Sequence, residues 1–169
     1  MEQNETNFIE CGRYLMEGVP VSQVRHSFNG KRTFYNNKFV KKKKHVLQQL
    51  HIQKRMSNLV TSGVPIKISL VYIFPRPQRL KRKKDPPGLL PHVSKPDIDN
   101  MDKFYLDCLT GIAFADDNQI FQIESKKLYC SFDYETKKEG WTGAIAHIYT
   151  TNQKEFSVQK ALNPDFLPW

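Results

Sequence analysis

The sequence is poor in the residues that mark several common chemistries. Its three cysteines, Cys11, Cys108 and Cys130, show no CxxC spacing, so they give neither a disulfide framework nor a structural zinc site. No GxGxxG, phosphate-binding P-loop or GxSxG stretch occurs. The histidines, His26, His45, His51, His92 and His147, are dispersed without metal-ligand spacing. No apolar run is long enough to span a bilayer, and Met1-Glu2-Gln3-Asn4-Glu5 lacks the basic start of a signal peptide. The expectation is a soluble cytoplasmic protein without a membrane partner. Acids are also in the minority, 17 Asp and Glu against 26 Lys and Arg, a formal charge of +9. That field favours a polyanion such as DNA or RNA, although charge of this sign also serves solubility alone.

What is present is a globular pattern: 39% hydrophobic and 12% aromatic residues in 169, enough for one domain with its own core. Scattered apolar residues from Phe8 to Met16 suggest a first strand. Asn29-Gly30 is a hairpin turn signal. Basic residues flank it, and Phe28, Phe34 and Tyr35 interleave. Such a loop suits phosphates and unpaired bases, or is an ordinary hairpin with its aromatics turned inward. From Asn36 or Asn37 to about Ser57, Phe39, Val46, Leu47 and Leu50 recur at helical spacing. Lys41 to Lys44 fan around this helix and cannot form one stripe. Lys43 falls near the apolar side and should snorkel. Val64–Phe74 reads as a central strand apolar on both faces. Pro75–Lys95 holds five prolines and many cations. It reads as a basic loop, either closing over a nucleic acid or forming a disordered, solvated insertion. The next helix starts near Asp97–Asn100, carries a Met101, Phe104, Tyr105, Cys108, Leu109 stripe, and ends at Gly111. Two strands follow, from Gln119 to Cys130 and from Trp141 to Tyr149.

The chemistry concentrates in Lys95-Pro96-Asp97-Ile98-Asp99-Asn100-Met101-Asp102-Lys103 and in Asp116-Asp117. Asp97 and Asp99, two apart in a segment held extended by Pro96, project to one side. Two carboxylates suffice for a Mg²⁺ that fills its remaining positions with water and phosphate. If the strand after Asp117 runs beside the helix start, a third carboxylate joins them. Lys103 lies one turn after Asp99, where it reaches a scissile phosphate. Plainer readings stand beside these. The acids cap a helix, Lys103 pairs with Asp99 or Asp107, and Asp116-Asp117 forms a turn. His92, close in sequence, is either a DNA contact or a bystander.

Lys95-Pro-Asp-Ile-Asp-Asn, Lys103, Asp107-Cys-Leu-Thr-Gly111 and Asp116-Asp117-Asn-Gln-Ile120 together resemble the RusA family of Holliday-junction endonucleases. The family pattern is PD-x-DN, a lysine four residues after the second acid, D-x-L-x-G, and DD-x-Q-hydrophobic. The resemblance implies an α+β fold with a small mixed sheet, β-α-β-α-β-β order and two main helices. It also implies a homodimer that resolves four-way junctions and other branched DNA by paired Mg²⁺-dependent cuts (Mn²⁺ possible), in recombination and repair in a bacterial or phage-infected cell. Asp97, Asp99, Lys103 and Asp117 match the catalytic residues. Asp97, Asp99 and Asp117, with Asp116 as the less critical acid, match the metal ligands. Arg25, Lys31, Arg32, Arg82, Lys83 and Lys95 are the expected DNA contacts. The domain covers 1–150, with 75–95 as a basic insertion and 151–169 as a C-terminal extension that packs back or docks a replication or repair protein. The alternative is a catalytically inactive junction-binding or other nucleic-acid-binding accessory protein.

Overall fold

A computed structural model describes residues 8–24, 27–28, 33–34, 37–54 and 59–151. The elements, in chain order, are β1 (Phe8–Glu17), β2 (Ser27–Phe28), β3 (Thr33–Phe34), α1 (Asn37–Lys54), β4 (Ile66–Phe74), β5 (Leu90–Pro91), α2 (Ile98–Leu109), β6 (Ile120–Tyr129), β7 (Phe132–Asp133), β8 (Lys138–Glu139) and β9 (Gly143–Thr151). The main elements follow the expected β-α-β-α-β-β order. The anticipated hairpin is the antiparallel pair β2–β3. Its Asn29-Gly30 turn lies outside the described residues, as do Arg25, Lys31, Arg32 and the extension beyond Thr151.

The main sheet has five strands in the order β1-β9-β4-β6-β5. β4 and β6 are parallel and the other pairings antiparallel. A parallel pair needs a crossover, and α2 supplies it. β4 is central, as its composition predicts. Alternate residues Ile66, Ile68, Leu70 and Tyr72 are completely buried on one face. Against them pack Phe39, Val46 and Leu50 of α1 and Met101, Phe104, Tyr105, Cys108 and Leu109 of α2. Burial pushes the Cys108 thiol up to about 11, as suits a packing residue rather than a nucleophile. Lys43 alone of the four-lysine run is partly buried.

The other face of β4 is only partly covered. Val71 and, across the strand register, Ile145 and Leu15 share it with Ile73. Leu15 and Trp141 are exposed on it, with Trp141 within reach of a side chain added at Gly143. The helices lie on the opposite side, and among the described residues this face is apolar only at the end around Val71, Ile73, Ile145 and Leu15, while Lys67, Ser69 and His147 make the rest of it polar.

The Pro75–Lys95 stretch is not a disordered insertion. Arg76 is 2% exposed. Its Nε donates to the Cys130 carbonyl at 3.0 Å, one terminal nitrogen to Pro86 at 2.6 Å, and the other to Gly88. Its backbone N–H donates to Glu139, which also pairs with Lys81. One guanidinium thus gathers carbonyls from a segment whose prolines cannot make regular ladders. The stretch ends in β5, on the sheet edge where Pro91 is tolerated.

Candidate active site

Asp97 occupies the N-cap position of α2 with extended backbone (φ −75, ψ 146), yet its side chain makes no capping hydrogen bond. A capping aspartate accepts from the second or third helical N–H. Here the carboxylate is left unspent, so the capping explanation fails for this residue. Asp99 is the second helical residue rather than part of an extended pair, and sits in the first turn where the helix dipole favours an anion. Among the described residues its side chain makes one hydrogen-bond contact, a long one, 3.5 Å from Asn100. Lys103, one turn on, is exposed. Among the described residues it forms no ion pair with Asp99 or Asp107. Among the described residues, Asp97, Asp99 and Lys103 therefore stand free on the first half of the helix and the residue before it.

The polar residues beneath this end escape a reading of the sequence. Tyr72 on β4 donates to Asp102 Oδ1 at 2.7 Å, and Ser125 on β6 donates to the same oxygen at 2.8 Å. Burial, then the Asp102 charge, pushes the Tyr72 phenol far above its usual range, so it remains a donor. Lys127, two residues further along β6, donates to the carbonyls of Ser94 at 2.6 Å and Pro96 at 2.5 Å. These bonds pin the first half of α2 and the turn before it onto β6. A β-bulge hides them: Ile66 pairs with Ile120 but Lys67 with Gln122. The extra residue, Phe121, reverses which positions face the helix. The usable signal is the pair of polar residues, Ser125 and Lys127, between Ile123 and Tyr129.

His92 is not at the surface. It is buried between Phe74 and Tyr129, each ring 4.4 Å away. Burial first, then the Lys127 charge, lowers its pKa. Its ring stays neutral in the core, the bystander outcome.

Asp116 and Asp117 lie elsewhere. α2 runs antiparallel to β6: Pro96 meets Lys127, Asp102 meets Ser125, and past the helix end Gln119 reaches the Thr61 and Val64 carbonyls. Gly111, at a positive φ of 76, turns the chain there. The helix spans about 18 Å, and β6 from Ile120 to Lys127 about 23 Å. The strand after Asp117 does run beside the helix, but Asp117 is at the far end. Consistently, no three acidic, histidine or cysteine side chains among the described residues are grouped to hold a metal. The two acids differ from each other. Asp116 accepts from the Asn118 N–H at 3.0 Å while Gln119 accepts from the Asp116 N–H at 2.9 Å, a capping box. Asp116 holds a turn, one of the readings open to it. Asp117 is exposed and makes no side-chain bond to the described residues.

As a site for a hard divalent cation, Asp97 and Asp99 fit: free oxygen ligands, exposed, with room for water and phosphate. They form half of the expected set. Of the basic residues, Arg82 is tied to Asp85 at 3.2 Å, while Lys83 and Lys95 are exposed. No helix among the described residues is long and apolar enough to cross a membrane.

Comparison with known proteins agrees with the motif. The chain is 25% identical over 127 residues to an uncharacterised protein, YqaN, of Bacillus subtilis (strain 168), covering 72% of this chain and 89% of that one. A profile of endodeoxyribonuclease RusA matches residues 17–132, which takes in β4, α2, β6 and the acids Asp97, Asp99, Asp116 and Asp117. With that match over most of its length, the chain belongs to the RusA endodeoxyribonuclease family.

Proposed function

We propose that the protein is a structure-selective endonuclease that resolves four-way DNA junctions as a homodimer, using Mg²⁺ or Mn²⁺, in recombination and repair within the cytoplasm. The observation that carries the reading is Asp97: a carboxylate at a helix N-cap that does not cap, beside a free Asp99 and a free Lys103. Unspent acids on a +9 chain call for a cation between protein and phosphate.

Asp97 and Asp99 are the residues that would hold the ion. When bound, the cation polarises the phosphodiester and lowers the pKa of a coordinated water. Lys103 stabilises negative charge on the phosphoryl or leaving oxygen. Lys83 and Lys95 track phosphates outside the site, with Arg82 oriented by Asp85. These contacts position DNA without reading sequence.

The separation of Asp117 from Asp97 favours a dimer. A two-fold axis across the strands sets one chain's helix start beside its partner's β6 start. Each site then takes Asp97, Asp99 and Lys103 from one chain and Asp117 from the other.

A synthetic four-way junction and a linear duplex of the same sequence, each incubated with and without Mg²⁺, test the proposal. Paired nicks in the junction only, and only with metal, are expected. Junction binding without cleavage across several divalent ions and pH values rejects it.

A further inference from the structure

We infer that Lys127 is a positioning residue of the active site, holding Asp97 where a cation can use it. The inference rests on the function proposed above and adds a residue to it. The Lys127 side chain rises from β6 beneath the turn that precedes α2. Two of its three N–H donors go to the carbonyls of Ser94 and Pro96, and Asp97 is the next residue. The rest of that turn is held by the same part of β6. The Ser94 hydroxyl meets the Tyr129 hydroxyl at 3.1 Å, and the His92 N–H donates to the Lys127 carbonyl at 2.9 Å.

Holding two carbonyls does not require a charge; a neutral amide would do it. Lys127 is partly buried, has no acidic partner among the described residues, and spends no third donor on protein there. Desolvating an ammonium without a counter-charge is costly. Two carboxylates with no cation between them also repel each other. Held on the carbonyls just before Asp97, the ammonium brings a positive charge to this turn, and its fixed bonds set the direction of the Asp97 backbone. It thus acts through Asp97, as a second layer acts on a metal ligand, where loss typically costs 10–100-fold in metal affinity or activity.

The test measures Mn²⁺ binding to the full-length chain by electron paramagnetic resonance, beside single-turnover junction cleavage over a Mg²⁺ series. Lys127→Met should weaken Mn²⁺ binding about 10–100-fold and shift the Mg²⁺ requirement by a similar factor, with metal-free junction binding retained. Lys127→Arg, which keeps charge and donors, should stay close to the parent. If Lys127→Met does not fold, Lys127→Leu against Lys127→Arg carries the same contrast. A Lys127→Met or Lys127→Leu protein with parental metal affinity, even one of lowered thermal stability, overturns the inference and leaves the nuclease reading intact. A parent chain that neither binds Mn²⁺ nor cuts overturns both.

Discussion

At the first turn of α2 two carboxylates stand free above a layer of fixed donors, whereas past its last turn one of two carboxylates is spent holding its own backbone. Asp97 and Asp99 are supported from below by Lys127, Ser125 and Tyr72, none of which touches their oxygens. Asp116 builds the capping box that presents its neighbour Asp117. Adjacent or near-adjacent acids in a sequence are therefore not interchangeable. What separates a ligand from a scaffold is whether its oxygens are already used.

The largest effect expected is a breakdown and rescue. Asp97→Asn and Asp117→Asn should each lower single-turnover cleavage by about a thousandfold or more, because each removes part of one acting unit, with junction binding retained. Mixed after co-refolding, the two inactive chains should regain nicking on one strand. The mixed dimer holds one site with both acids intact and one with neither. If mixing restores nothing while the mixed dimer is shown to form, the two ends do not meet across a dimer. Next in size, Lys103→Met should cut the rate about 100- to 1,000-fold, the typical cost of a lost charge-stabilising donor, and leave the Mg²⁺ requirement near the parent's. A change in metal requirement alone would recast Lys103 as a partner of Asp99. The smallest effect belongs to Asp116→Ala. Losing a cap loosens the turn without removing a ligand, so cleavage should fall by no more than about tenfold and a helix-capping Ser or Asn should recover it. A loss as deep as that of Asp117→Asn would place Asp116 on the metal and contradict the division of labour drawn here.

Much of this molecule is legible in its sequence. Ile66, Ile68, Leu70 and Tyr72 announce the central strand, and Met101, Phe104, Tyr105, Cys108 and Leu109 the buried stripe of α2, because burial writes itself as period two or period 3.6. Asp97, Asp99, Lys103 and Asp117 are legible as candidates by their spacing, but whether each is spent on a cap, a pair or a turn is not. Nor is their distance. Whether β6 meets the start or the end of α2 follows from the direction in which the crossover helix packs, which no local spacing encodes. Lys127 is hidden for a different reason. One extra residue at Phe121 shifts the alternation, so a regular count places this lysine on the wrong face. Arg76 is hidden because a cation among prolines and lysines reads as solvated, and nothing in its neighbours declares that it is core.

That buried guanidinium has a consequence for the chain as a substrate rather than as a catalyst. Trypsin-like proteases need several residues of extended, displaceable backbone around a basic residue. From Arg76 to Lys95 the sequence offers such residues in profusion, and their surroundings resemble a linker. Yet the carbonyls of Pro86 and Gly88 are already held by Arg76, and Leu90 and Pro91 are stitched to the sheet edge. For as long as the domain stays folded, the backbone from Pro86 to Pro91 is tied down rather than displaceable.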